Sequence, residues 1–289
     1  MTRTVSVAPP DPTASGTPVA LTVDGVEVEV PAGTTVKDAA ARVGVVTPTL
    51  CWAANLTPVS ACRLCVVEVE GARALVPSCS RPVEPGMVVH TDSERVRRSR
   101  RLVLELLASS VELDQAPELV DHMATYGADP ARFGDGERVS EPVRDVDDLF
   151  VRDYERCVLC YKCVEACGDD AQHTWAIAVA GRGFDARIAT EFDVALDRSA
   201  CVYCGNCIGV CPTNALQFRT EYELRAAGDW RPDDQSVTRT VCGFCGVGCN
   251  LELHVQDERI VKVTSPVDHE VTSGHLCVKG RFGWAHVHA

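Results

Sequence analysis

The chain has 289 residues with 28 Lys and Arg against 41 Asp and Glu, a formal net charge of −13 that argues against a nucleic-acid or anionic-membrane partner. Its unusual number is 16 cysteines, an even count that suits a disulfide scaffold only in a secreted protein. The N-terminus carries no apolar signal region or twin-arginine motif, and no run reaches transmembrane length. The expectation is therefore a cytoplasmic chain whose clustered, reduced thiols bind metal.

Residues 1–18, rich in Pro, Ser, Thr and Ala, read as a disordered lead-in. A domain is expected over 19–92. Val19–Val23 and Val26–Val30 flank Asp24-Gly25, a hairpin signal. Thr34 or Thr35 can cap a short helix running to Val43. Residues 65–70 and 72–76 form a second hairpin around Gly71, and Met87–His90 is a closing strand. The result is a small mixed sheet crossed by one helix, the β-grasp arrangement.

Residues 93–109 read as a helix capped by Asp92 or Ser93, with Val96, Leu102, Val103, Leu106 and Leu107 as its buried face. Arg95, Arg97, Arg98, Arg100 and Arg101 are read as a solvated face rather than a docking patch. The rest of 93–150 is acidic and weakly periodic, a connector. An internal repeat follows in 151–220, then a connector at about 219–236 and a last Cys-rich segment at 237–289.

The cysteines fall into four sets. Cys157-Val-Leu-Cys-Tyr-Lys-Cys-Val-Glu-Ala-Cys167 is echoed by Cys201-Val-Tyr-Cys-Gly-Asn-Cys-Ile-Gly-Val-Cys211. Each half is the C-x2-C-x2-C-x3-C run of bacterial ferredoxins, whose fourth cysteine ligates the other cluster. Cys157, Cys160, Cys163 and Cys211 are thus assigned to one [4Fe–4S] cluster, and Cys167, Cys201, Cys204 and Cys207 to a second. Zinc is the competing reading, but tetrahedral zinc sites pair two knuckles instead of running three cysteines at this spacing. Cys51, Cys62, Cys65 and Cys79 suit a [2Fe–2S] cluster, and Cys242, Cys245, Cys249 and Cys277 form a fourth set. Gly243, Gly246 and Gly248 are expected to let the backbone fold closely round this last site.

Two strings, Thr240-Val-Cys-Gly-Phe-Cys-Gly-Val-Gly-Cys-Asn250 and Gly274-His-Leu-Cys-Val-Lys-Gly-Arg-Phe-Gly283, resemble the N-terminal [4Fe–4S] segment of molybdopterin oxidoreductases, particularly formate dehydrogenase alpha subunits. The first domain resembles those that open complex I, hydrogenase and formate dehydrogenase iron–sulfur chains. The resemblance implies an α+β, multi-domain electron-transfer subunit, with Lys279 as conduit between the last cluster and a pterin. It also implies two partners. One is a catalytic subunit holding molybdenum or tungsten in a bis(pterin guanine dinucleotide); the other is a flavin/NAD-binding subunit.

Relatives carry a further cluster in the connector, held by one histidine and three cysteines. Here residues 110–130 contain His122 and no cysteine, so that cluster is expected to be absent and His122 to be a surface side chain. With all 16 cysteines assigned and no pterin domains in these 289 residues, the chain is expected to be catalytically incomplete alone. The segment 237–289 is expected to finish its packing against the catalytic partner. The alternatives are an electron-transfer subunit of complex I or hydrogenase type, and a stand-alone polyferredoxin.

Overall fold

The computed structural model describes residues 17–145 and 147–288, so nearly all of the expected lead-in lies outside the described residues. The chain divides into two compact units. One comprises residues 17–52 and 58–138; residues 53–57 and the described residues from 139 onward form the other.

In the first unit, β1 (Pro18–Val23) and β2 (Val26–Pro31) pair antiparallel from Pro18↔Pro31 to Val23↔Val26. Asp24 and Gly25 both have positive φ, 49° and 84°, the backbone a tight two-residue hairpin requires. Val19, Leu21 and Val23 alternate inward. Helix α1 (Val36–Arg42) starts where expected, with Thr35 Oγ1 accepting from the Asp38 amide at 3.1 Å. It buries Val36, Ala39 and Ala40 in the sheet's core. The second hairpin is shorter than its sequence suggests, β3 (Val66–Val69) against a two-residue β4 (Val76–Pro77). Strand β5 (Val88–His90) runs parallel to β1 and antiparallel to β3, giving the order β2-β1-β5-β3-β4.

Helix α2 (Glu94–Ser110) is capped by Ser93, whose hydroxyl accepts from the Val96 amide at 3.3 Å. Its buried face differs from expectation. Val96, Arg100 and Leu104, spaced by four, point inward, while Leu102 and Leu106 are 39% and 48% exposed. Arg100 therefore leaves the solvated basic face: its Nε and Nη2 donate to the Leu64 and Val66 carbonyls at 3.1 and 2.9 Å, and its Nη1 donates to the Tyr126 hydroxyl. The connector contains a helix of its own, α3 (Pro117–Tyr126), opened by Pro117 and closed by Gly127 at φ 62°. His122 lies on it, half-buried, and burial lowers its basicity.

In the second unit, β6 (Phe150–Arg152) pairs with β9 (Leu216–Phe218), bracketing the repeat. Between them lie α4 (Lys162–Cys167), the hairpin of β7 (Ala178–Ala180) and β8 (Arg187–Ala189), and α5 (Asn206–Gly209). The expected connector at 219–236 begins as helix α6 (Arg219–Ala226). Its Glu221 is buried and paired with Arg225 and with Lys262. Lys262 sits on β12 (Arg259–Thr264), one edge of a three-stranded sheet with β11 (Asn250–Gln256) and β10 (Ser236–Val241). Helix α7 (Val278–Phe282) follows.

Half-buried His254 on β11 lies 2.9 Å from the Thr264 hydroxyl, and burial, aided by the Lys262 charge, lowers its pKa to about 4. A folded-state pKa below the unfolded value means that the unfolded chain takes up the proton first, so this contribution is lost as pH falls from about 6.5 toward 4. Discounted for partial exposure, the loss between pH 7 and pH 5 is about 1 kcal/mol. Urea midpoints of wild type and His254→Gln at the two pH values should differ by this slope; parallel pH dependences would refute it.

Candidate metal centres

The repeat builds the same loop twice. Leu159 and Tyr161 have φ of 49° and 64°; Tyr203 and Gly205, at the matching positions, have 55° and 69°. These left-handed turns swing successive amides inward, and the Tyr203 amide lies 3.4 Å from Cys201 Sγ. Each loop runs into a short helix that carries the last cysteine of its run or leads to it.

Two cavities result. One is lined by Cys167, Cys201, Cys204 and Cys207, the other by Cys157, Cys160, Cys163 and Cys211. The grouping crosses the repeat, each cavity taking its fourth thiol from the other run. Tyr154 is fully buried and lines both cavities. Threonine hydroxyls face the two crossing thiols, Thr174 at 3.4 Å from Cys167 Sγ and Thr213 at 3.9 Å from Cys211 Sγ.

The apolar lining makes a bare thiolate costly. Burial raises the Cys157 pKa to about 12 and pushes Cys163 and Cys207 far above the ordinary thiol range. A positively charged iron–sulfide core supplies the charge that lets such thiols ligate as thiolates, so the donor set fits this group. Among the described residues no group of three His, Cys, Asp or Glu side chains is arranged to hold a single metal ion.

In the first unit Cys51, Cys65 and Cys79 are buried and Cys62 is partly so. Cys65 Sγ lies 3.3 Å from Cys79 Sγ, and the Cys62 amide 3.5 Å from Cys51 Sγ. The thiols interact as two pairs. Hydrogen bonding from Cys62 lowers the Cys51 thiol, and Cys65 likewise lowers Cys79, while each donor is pushed up by its partner and by burial. Thiols crowded so closely share protons unless a cationic core replaces them.

The last set is more open: Cys242 is buried, Cys249 partly so, and Cys245 and Cys277 are exposed. Burial and the neighbouring Cys242, Cys277 and Cys245 raise the Cys249 thiol. Of the three glycines expected to admit a close backbone approach, only Gly248 has a positive φ, 76°; a Cβ at Gly243 or Gly246 would meet open space. Gly283 does carry a close approach, since a Cβ there would stand 2.5 Å from the Phe244 ring. Lys279 is exposed on α7, two residues beyond Cys277.

The last segment packs in part on the 204–206 loop of its own unit. Arg281, 1% exposed, donates to the Cys204 carbonyl at 3.4 Å and to Asn206 Oδ1 at 3.0 Å, and the Leu276 amide donates to the same Asn206 oxygen at 2.9 Å. Phe282 stacks on Phe150 with centroids 6.3 Å apart and meets Phe218 edge-on at 5.7 Å. A Cβ on Gly205 would stand 2.9 Å from the Phe282 ring. Sequence reasoning missed these contacts, although Arg281 and Phe282 stand inside the string that carries Lys279.

Comparison with known families agrees with this layout. The chain matches a 2Fe-2S iron-sulfur cluster binding domain over residues 16–94, a 4Fe-4S dicluster domain over 156–215, and a molybdopterin oxidoreductase Fe4S4 domain over 235–289. Three iron–sulfur cluster domains thus follow one another along this chain. It is 35% identical over 275 residues to the G 2 subunit of NADH-quinone oxidoreductase of Rhizobium meliloti, covering 92% of this chain and 31% of that protein. It is 26% identical to a formate dehydrogenase-like protein of Staphylococcus haemolyticus, covering 93% of this chain and 31% of that one. The iron–sulfur chain thus spans about a third of the length of the curated relatives it matches. Among solved structures it resembles a chain of NAD+-reducing [NiFe]-hydrogenase in the H2-reduced state, with 27% identity and a TM-score of 0.55 over 70% of this chain and 87% of that one. No helix among the described residues is long and apolar enough to cross a membrane.

Proposed function

We propose that the chain holds one [2Fe–2S] core on Cys51, Cys62, Cys65 and Cys79, and three [4Fe–4S] cores. These three sit on Cys157, Cys160, Cys163 and Cys211; on Cys167, Cys201, Cys204 and Cys207; and on Cys242, Cys245, Cys249 and Cys277. It serves as the cytoplasmic electron-transfer subunit of a formate dehydrogenase-type oxidoreductase. The molybdenum or tungsten sits in a bis(pterin guanine dinucleotide) on a catalytic partner, and a flavin/NAD-binding partner provides the outlet.

The observation that carries this reading is the joining of the 242–277 set to the ferredoxin-like pair. Arg281, Leu276 and Phe282 bind the backbone and side chains of the 204–206 loop directly, so the segment that carries one thiol set packs on a ligand loop of the other. Exposed Cys245, Cys277 and Lys279 leave that set open to a catalytic body. The match to the molybdopterin oxidoreductase Fe4S4 domain supports a pterin there. A second reading, an NADH-linked subunit of complex I type without a pterin, is favoured by the higher identity to the NADH-quinone oxidoreductase relative, 35% against 26%.

Anaerobically purified complex should contain about 14 iron and about 14 sulfide ions in this chain. Formate should reduce its clusters, and Lys279→Ala should slow that reduction by about tenfold or more, in the range of outer-shell changes at metal sites, without slowing reduction from NADH. Reduction by NADH alone, in a complex free of molybdenum and tungsten, would establish the second reading instead. Zinc in place of iron would overturn both.

A further inference from the structure

The internal repeat offers a comparison within one molecule, because two similar thiol cavities differ in the charged groups around them. Each has the same left-handed loop, an apolar wall and a threonine hydroxyl on its crossing cysteine. The lining of the Cys157, Cys160, Cys163 and Cys211 cavity holds no charged side chain. Two buried guanidinium groups stand at the other. Arg152, 4% exposed, lines it directly beside the Tyr154 phenol, and its Nη1 has no hydrogen-bond partner. Arg281 reaches it from α7 through the Cys204 carbonyl and lies against Gly209, with its Nη1 3.2 Å from where a Cβ there would sit. Among the described residues neither arginine forms an ion pair with a carboxylate. Asp147 stands on the Cys201 side, its Oδ1 accepting from the Leu149 and Phe150 amides and its Oδ2 buried without a hydrogen-bond partner, so one carboxylate faces two guanidinium charges at this cavity.

We propose that Arg152 and Arg281 make the Cys167, Cys201, Cys204 and Cys207 centre the more readily reduced of the repeat pair. The inference rests on the cluster assignment above. A [4Fe–4S] core accepting one electron from the preceding centre gains one negative charge and loses no bond, so fixed positive charge held in a low-dielectric wall favours the reduced form. Both arginines are positioning residues in this sense: they touch the loop and the cavity wall and act on the core through the field. Their placement also sets an order. The centre joined to the 242–277 set is the one that holds the electron better, and its twin beyond Tyr154 needs a stronger push.

The test is a potentiometric titration of the full chain followed by EPR. Cys204→Ser and Cys160→Ser identify which signal belongs to which centre. In wild type the Cys204-sensitive signal should be the first of the pair to appear on reduction. Arg152→Met and Arg281→Met should each shift its oxidised-to-reduced ratio at fixed potential by about tenfold toward the oxidised form, 59 mV for a one-electron couple, with the Cys160-sensitive signal moving much less. Arg281→Lys should recover most of the shift. Arginine variants that keep their iron and sulfide while both signals stay in place, or move together, would overturn the inference and leave the cluster assignment standing. Should a methionine variant lose iron, the wild-type order still decides: a Cys160-sensitive signal appearing first refutes the proposal. Wild-type protein without cluster iron refutes the assignment itself.

Discussion

Replacing Cys167 with alanine should strip iron from the centre of the second run, far along the chain, and leave the centre nearest it in sequence intact. Cys167 follows Cys163 on α4, yet its thiol lines the cavity of Cys201, Cys204 and Cys207. A straight-through reading of the first run would pair it with Cys157, Cys160 and Cys163, so the two pairings predict different losses. With crossed ligation, Cys167→Ala and Cys204→Ala disable the same centre. The double variant should then lose no more than either single one, about four iron ions per chain. Cys167→Ala combined with Cys160→Ala should lose about eight. The effect on stability should be large as well, because each core staples one half of the repeat to the other and leaves an apolar cavity when it goes. A fall of roughly 10 °C or more in the thermal midpoint is expected for a loss of a few kcal/mol from a domain of this size. Iron loss from the first run's centre after Cys167→Ala would refute the crossing.

Much of this is legible without coordinates because it depends on local rules. The Asp24-Gly25 hairpin, the Thr35 and Ser93 caps and the doubled cysteine run are set by steric preference, short-range hydrogen bonds and ligand spacing. These act over a few residues, and the structure reproduces the hairpin and both caps. What escapes is set by distant partners. Helix α3 has ordinary start and stop residues, but only Leu119 and Met123 are buried on it, too few to produce a periodic signal. Helix α6 is held by Glu221, a carboxylate buried only because Lys262 and Arg225 meet it. The buried arginines are the plainest case. Apolar periodicity treats Arg as an outward residue, so Arg100 reads with its exposed neighbours and Arg281 goes unmarked beside Lys279. A guanidinium can enter a core when backbone carbonyls with no other donor await it, and nothing in a single sequence announces where such carbonyls are.

Arg100 therefore sets the second large effect. Its Nε and Nη2 bind the carbonyls of Leu64 and Val66, the residues on either side of Cys65, while Nη1 binds the Tyr126 hydroxyl and lies 3.9 Å from Asp92 Oδ1. One side chain on α2 thus ties α3 to the loop that presents Cys62 and Cys65. Methionine fills much of the same space but leaves two buried carbonyls and a phenol without their donor, each costing about 1–3 kcal/mol. Arg100→Met should cost about 3–5 kcal/mol in this unit, the range seen when one partner of a buried charged network is removed. The loop should loosen with it, and about two iron ions per chain should be lost from the Cys51, Cys62, Cys65 and Cys79 site while the other three centres stay filled. Arg100→Lys restores the charge but not the fork that spans two carbonyls, so its stability should fall between wild type and Arg100→Met. Equal urea midpoints and equal iron content in all three proteins would show that the guanidinium holds neither the loop nor the centre.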